Sequence, residues 1–486
     1  MSDLRCKVGA VTTTTALINC ATLSDTTITA TCSGGSVAVA SRSERIASPY
    51  MGTCLITITG LSAYTTYTWT ATQGAVTRNG TFRTLPNDQV TDFSFIVTTC
   101  DFKTPRTSGD SNYGKMKDLI QSAEIPVLFR VHPDDLNYTD GHQVNDSATG
   151  FTSGGAPMAT GVAADYAMAW GATYGLFKTD GKWRHRDRQW VNNNLPLQAA
   201  VPGDHGYEDN HCRGDVGSGG DYAGCNRAPG DTVPNLEVTA IAEWDSFYGQ
   251  MFPSPLSAGL LNYGFECGPC RFGMLDIGMT ADPLDSVTGG GNFDEARATH
   301  PGYGATQLSD TFTYLDNSSV RFKFAFLDTG FKLAGQPWST WWSDEADDWK
   351  TNTLDASNNL NGTDGNFIGF FGDSHAQSIF SFDKFWAFGA GMIDSACIFT
   401  QGASSASWST LQRYFRGALP QDSTPGNRLY GGFIHVIVYA SQTPKKVEVR
   451  HMDNLTGKIL RTYTLTGDSS GADNQMINAT DQTVAI

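Results

Sequence analysis

Six strand-length runs that are apolar almost throughout set the tightest limit on what this chain can fold into. They are "FSFIVTTC", "IPVLFRVHPDD", "LPLQAAVPGDH", "RFGMLDIG", "RFKFAFLDTG" and "FIGFFGDSH", and each stops at polar or glycine-containing sequence. A strand with one wet face alternates apolar and polar residues, whereas a strand covered on both faces does not. Between the runs lie helix-patterned stretches at 111–124 and 236–252. Doubly covered strands alternating with helices predict an α/β layered core.

The first 86 residues read differently. They are rich in Thr, Ser and Ala and alternate in short runs such as "TTITATC", "CLITITGL" and "YTTYTWTATQ". That pattern predicts an antiparallel β-sandwich domain over 1–86. The stretch from Leu55 to Pro86 resembles the end of a fibronectin type III domain, an immunoglobulin-like sandwich. The larger domain then runs over 90–465, closing with further antiparallel strands, and 466–486 is expected to be a C-terminal surface tail.

The net charge is −16 and no basic stretch offsets it. No electrostatic surface for nucleic acid is therefore expected. No run approaches the roughly 20 apolar residues of a spanning helix, so no membrane span is expected. No signal peptide is visible, which leaves cytoplasmic, virion-associated or otherwise secreted locations open. Ten cysteines are too few for a disulfide scaffold. A zinc site from Cys212, Cys225, Cys267 and Cys270 competes with free thiols or local disulfides, and a single CxxC at irregular spacing favours the latter. The tryptophan-rich segment 338–349 (Trp338, Trp341, Trp342) reads as a helix covering the core.

The strand ends carry the chemistry. Cys100 and Asp101 follow the first run; His132, Asp134, Asp135 and Tyr138 the second; Gly203, Asp204, His205 and Asn210 the third; Gly372, Asp373 and His375 the last. Open α/β sheets bind ligands beyond the carboxyl ends of their strands. Carboxylates gathered there repel one another unless cations hold them, and hard divalent or trivalent ions prefer carboxylate oxygen with some imidazole.

In that order these motifs resemble the PhoD-like alkaline phosphatase and phosphodiesterase family, of the calcineurin-like metallophosphoesterase fold. Thr99-Cys100 is similar to the family's Ser-Cys, and His132-Pro133-Asp134-Asp135-Leu136-Asn137-Tyr138 to its H-x-G-D-x-x-Y. Gly203-Asp204-His205-Gly206 with Asn210 is similar to D-D-H-E with a downstream Asn, and Gly372-Asp373-Ser374-His375 to G-D-V-H. "MLDIGMTADP" is similar to an L-D-T-R-x-Y-R-D stretch, and the segment from Gly304 to an L-G-x-x-Q-x-x-W-L stretch.

The resemblance implies an αββα layered core and metal-dependent hydrolysis of phosphomonoesters or phosphodiesters by a metal-activated water. Asp135 would bridge two ions. Cys100, Tyr138, Asp373 and His375 would complete a ferric iron (Fe3+) site. Asp204 and Asn210 would hold a divalent ion, calcium by the family's habit. Asp204 and His205 would be catalytic, His205 facing the phosphate. His132, which also reads as a packing group, and Asp276 would meet the substrate.

Three departures stand out. Asp134 replaces the glycine before the bridging carboxylate, two acids are missing around Asp204-His205, and no arginine follows Leu275-Asp276. Arg130, Arg271 and Arg297 are the candidates to replace those arginines. The departures keep a second reading open: a structural or adhesive component of a virion or surface that retains the fold with weak or no activity. Under either reading the N-terminal domain could contact a surface or assembly partner.

Overall fold

The structure, a computed structural model, describes residues 3–101, 113–139, 144–155, 157, 162–178, 185–203, 206, 236–276, 305–316, 321–327, 366–372, 377–382, 385–391, 393, 396–397, 412–414, 429–430, 432–454, 456–467 and 475–481. Eight strands come first: β1 (Leu4–Val11), β2 (Thr15–Thr22), β3 (Ile28–Cys32), β4 (Ser36–Val39), β5 (Ser43–Ile46), β6 (Met51–Thr59), β7 (Thr66–Gln73) and β8 (Val76–Arg83). They form a five-stranded sheet in the order β1-β2-β6-β4, with β5 also on β6, and a three-stranded sheet β3-β7-β8. Every pairing in the two sheets is antiparallel. Their alternating side chains bury a cluster around Val8, Ile18, Ile56, Trp69 and Phe82.

The rest of the chain adds β9 (Phe93–Val97), β10 (Val127–His132), the short pair β11 (Asn145–Asp146) and β12 (Phe151–Thr152), and β13 (Leu197–Ala200). Next come β14 (Tyr263–Cys267), β15 (Cys270–Met274), β16 (Phe322–Leu327), β17 (Asn366–Phe371), β18 (Ser378–Phe382) and β19 (Phe385–Gly389). The series ends with β20 (Ala396–Cys397), β21 (Gln412–Tyr414), β22 (Leu429–Tyr430), β23 (Gly432–Tyr439), β24 (Lys445–Asp453), β25 (Ile459–Gly467) and β26 (Gln475–Asp481). The described helices are α1 (Tyr113–Ser122), α2 (Ala163–Thr173), α3 (Arg186–Asn194), α4 (Leu236–Phe247) and α5 (Ala305–Leu315).

Two seven-stranded sheets organise these elements, one in the order β13-β10-β9-β23-β24-β25-β26 and the other β14-β15-β16-β17-β19-β18-β21. β13, β10 and β9 run parallel, as do β15, β16, β17 and β19, with antiparallel strands completing each sheet. The architecture is mixed and rich in sheet. All six apolar runs are strands, and the two helical patterns are α1 and α4. Segment 466–486, expected to be a tail, supplies β26 at a sheet edge, where backbone pairing to β25 holds a strand that has few packing residues.

The sheets meet through phenylalanines. Phe95 of β9 stacks on Phe129 of β10 at 5.3 Å and sets its ring edge-on to Phe272 and Phe324 of the other sheet, also at 5.3 Å. Each such ring gains about 1.5–3 kcal/mol by leaving water, with edge-to-face contact adding to it. Because successive residues of a strand face opposite ways, Ile96 points to the other side of β9. There it packs with Tyr113 and Met116 of α1, Val191 of α3 and Phe433 of β23. α5 lies on the second sheet, with Thr311 and Leu315 so close to Gly273 of β15 that a side chain would have no room there.

The N-terminal strands are docked by polar bonds. The side chain of Gln198 in β13 accepts from Val11 N–H at 2.9 Å and donates to Val11 C=O at 3.0 Å. Asn19 donates to the carbonyl of Phe247 at 2.7 Å. Lys7 is buried, bonded to the Tyr248 hydroxyl and held 4.4 Å over the Tyr174 ring.

His435 of β23 is buried, and neither ring nitrogen has a hydrogen-bond partner among the described residues. Burial first, then the charge of Arg450, lowers its pKa to about 3. The ordinary value is about 6.5, so the unfolded chain takes up a proton that the folded chain refuses between those two pH values. Stability from this group is complete above about pH 6.5 and falls as pH drops toward 3, by at most about 1.4 kcal/mol per pH unit. His435→Leu is expected to flatten that part of the curve and to raise the denaturation midpoint at pH 5, read by urea titrations across pH.

Candidate metal centre

Parallel order puts the carboxyl ends of β9, β10 and β13 at one edge of their sheet, and the backbone stays paired past the strands. Thr98 N–H donates to Val131 C=O at 3.1 Å, Cys100 N–H to Asp134 C=O at 3.1 Å, Asp101 N–H to Asp135 C=O at 2.8 Å and Val201 N–H to His132 C=O at 3.1 Å. Cys100 and Asp135 both adopt the left-handed region, with φ of 51° and 44°. Non-glycine residues sit there at a cost of roughly 1–3 kcal/mol, and such strain concentrates at functional sites. The kinks turn the two side chains toward each other.

Their ligand atoms converge. Cys100 Sγ donates to Asp134 Oδ2 at 2.8 Å, and the thiol and the carboxylates of Asp134 and Asp135 lie within 4.8 Å of one another, all buried. Burial first, then Asp134 and Asp135, pushes the Cys100 thiol well above its ordinary pKa. Tyr138 is raised likewise by burial, then by Asp135, Cys100 and Asp134, and its phenol bonds the Asp135 carboxylate. A cluster of sulfur and oxygen donors sealed from water, whose carboxylates hold the thiol and the phenol in their protonated forms, suits a cation that takes the place of the protons.

Two glycines bring the other strand ends into contact. A side-chain carbon on Gly203, which has φ +74°, would lie 2.2 Å from Asp135 N, and one on Gly372 would lie 2.3 Å from the Asp134 Cβ. Gly203 and Gly372, each the residue just before an expected ligand in the sequence, therefore lie directly against Asp135 and Asp134. Asp204, His205, Asn210, Asp373 and His375 themselves lie outside the described residues, as do Arg297, Cys212, Cys225 and segment 338–349. Gly372→Ala is expected to force Asp134 aside. Bound metal per chain should then drop at least tenfold while far-ultraviolet dichroism stays unchanged.

His132 lies beside the cluster, bonded to the Asp135 backbone, and Asp276 is buried just past the end of β15. His132 is buried with Nδ1 2.8 Å from Thr98 Oγ1, and burial lowers its pKa to about 3. Asp276 lies just past β15, its backbone N–H donating to the Gln307 side chain at 2.6 Å while Gln307 donates back to its carbonyl at 2.9 Å. That clamp joins the Leu-Asp stretch to the segment containing Gln307. Arg130 is spent on Tyr113 and Asn192, and Arg271 on Glu266 and the Tyr314 carbonyl, so neither lies free to replace the missing arginines. Cys267 and Cys270 are buried and face each other across the β14–β15 hairpin.

Sequence reasoning assigned no ligand role to Asp134, which the fold puts against Cys100. It also passed over Arg188 of α3, whose guanidinium pairs with both oxygens of Asp101; Tyr113 donates to the same carboxylate at 3.0 Å. Asp101 directly follows Cys100, so this buried pair fixes the kink on which Cys100 stands. The position of Asp101 at the strand end was visible in the sequence, but nothing marked Arg188 as its partner.

No protein-family model and no curated protein matches the sequence. Among solved structures, the chain is similar to PhoD with a TM-score of 0.61 and 14% identity, covering 99% of this chain and 92% of that one. A second match is GAP50, described as the anchor in the inner membrane complex of Plasmodium, with a TM-score of 0.39 and 12% identity over 78% of this chain and 89% of that one. At these identities the likeness to PhoD concerns the fold, and it extends over nearly the whole length of both chains.

Proposed function

We propose that the chain is a metal-dependent phosphoesterase of the PhoD kind that hydrolyses phosphomonoesters or phosphodiesters. The observation that carries this reading is the buried meeting of Cys100, Asp134 and Asp135 at left-handed strand ends, within a fold shared with PhoD. The facing seven-stranded sheets, with α1 and α3 behind one and α5 behind the other, support an αββα core; residues 1–86 then form the separate sandwich domain and 90–465 the phosphoesterase domain.

Cys100, Asp134, Asp135 and Tyr138 would hold one cation, with Asp373 and His375 entering beside Gly372. Thiolate, phenolate and carboxylates together favour ferric iron. Asp135 would be shared with a second, divalent ion, for which calcium is the candidate, bound by Asp204 and Asn210. Bound cations supply Lewis acidity at phosphoryl oxygen and a water acidic enough to serve as nucleophile near neutral pH. His205 would face the phosphate, where an imidazole stabilises developing charge or protonates the leaving oxygen.

Elemental analysis, together with turnover of p-nitrophenyl phosphate and its bis ester, tests the proposal. Iron near one per chain and hydrolysis that falls at least a hundredfold after chelation are expected. Metal-independent turnover, or a metal-free chain after growth in iron and calcium, overturns it. The unassisted Leu275-Asp276 stretch supports one second reading, a structural or surface protein on the same scaffold, for which the result would be bound metal without turnover. No described helix is long and apolar enough to cross a membrane.

A further inference from the structure

Three thiols line up across the N-terminal sheet. Cys6 of β1 is directly opposed to Cys20 of β2, and Cys20 is opposed to Cys54 of β6. All three are buried. The Sγ atoms of Cys6 and Cys20 are 2.8 Å apart, inside the contact distance of two sulfur atoms. Cys54 is directed elsewhere, its thiol donating to the Ala40 carbonyl at 3.2 Å. Opposed residues on antiparallel strands keep their Cα atoms about 4.5–5.5 Å apart, within the roughly 4.4–6.8 Å that a disulfide spans.

We propose that Cys6 and Cys20 are an oxidisable pair whose disulfide staples β1 to β2, with Cys54 left as a thiol. In the balanced step, one protein thiolate attacks a low-molecular-weight disulfide and releases one small thiol. The second protein sulfur then displaces the other small thiol as the internal S–S bond forms. Two protein thiols and one small disulfide become one protein disulfide and two small thiols.

The staple matters because of what β1 carries. Lys7, the neighbour of Cys6, enters the Tyr174–Tyr248 cage on the opposite face, and Val11 is the residue held by Gln198. β1 is an edge strand, paired within its sheet to β2 alone, so a link to β2 is what fixes it in the ladder. Burial first, then the bond to Cys6, holds the Cys20 thiol well above its ordinary pKa. Exchange in the closed sheet is therefore slow, and the bond forms while β1 is open.

The test uses the full chain refolded with oxidised glutathione or with reductant, alkylated in denaturant, digested and read by mass spectrometry. The oxidised sample should contain the Cys6 peptide joined to the Cys20 peptide, two hydrogen atoms lighter than their sum. Cys54→Ser should keep the link and Cys6→Ser should lose it. Backbone amides of β1 should exchange roughly a hundredfold more slowly in the oxidised form, the factor expected when a loop of about 15 residues is closed. Alkylation of both Cys6 and Cys20 after oxidation, or a link from Cys20 to Cys54, overturns the pairing. Equal exchange in the two forms overturns the staple. The mapping of the wild-type chain holds whether or not the variants fold.

Discussion

Asp135→Asn is expected to empty the metal centre and reduce phosphoester turnover on the order of a thousandfold or more while the chain stays folded. The carboxylate of Asp135 lies within 4.8 Å of the Cys100 thiol and the Asp134 carboxylate, and accepts the Tyr138 phenol. Its backbone carbonyl takes the Asp101 N–H, and Gly203 leaves no gap against it. Asparagine matches the shape and tolerates left-handed φ, so the kink survives and the anionic ligand alone is removed. Loss of a single group that stabilises developing charge already costs about a hundredfold to a thousandfold, and under the proposed function the cations that Asp135 would hold are lost with it. Asp135→Ala is expected to give the same loss, with some instability added because alanine resists φ near 44°. Metal content by elemental analysis and turnover of bis-p-nitrophenyl phosphate are the readouts; full metal with full turnover in Asp135→Asn would remove the site from the mechanism.

Arg188→Met is expected to lower stability by about 3–5 kcal/mol, the usual result of removing one partner of a buried ion pair. Both side chains are almost wholly buried, and Arg188 also lies 4.6 Å over the Tyr113 ring. Without the guanidinium, the buried Asp101 carboxylate keeps the Tyr113 hydroxyl but loses its bidentate ion-pair partner beside Cys100. Total stabilities of about 5–15 kcal/mol make that a large share. The double variant Asp101→Asn with Arg188→Met should recover much of the loss, since the stranded charge is gone. Urea midpoints of the two variants decide the matter, and a single variant as stable as the parent would show that the pair is not holding the strand end.

Many of the central strands were legible because burial on both faces leaves a mark in the sequence. "FSFIV" and "FKFAFL" have no polar alternation, and they became β9 and β16 in the middle of sheets. The grouping of Cys100 with Asp135 was legible for the same reason, since both lie just beyond such strands. Partner choice between distant strands was not legible. That β23 lies against β9 depends on a register set by Phe93–Val97 across more than 330 intervening residues. The left-handed φ of Cys100 and Asp135 was also hidden, because neither residue type announces that conformation as glycine does. Asp134 looked like a surplus charge, and only the 2.8 Å contact with the thiol gives it a place. Arg188 was hidden because the ion pair joins residues 87 apart with no spacing rule between them.

The Gln198 clamp has a consequence for solubility. β13 is the outermost strand of its sheet, and an outermost strand offers unpaired amides and carbonyls to any passing chain. Here the adjoining N-terminal strand occupies that side, tied by a side-chain amide that imitates one rung of a ladder. The N-terminal strands thus act as a built-in cover for that edge, closing it against self-association.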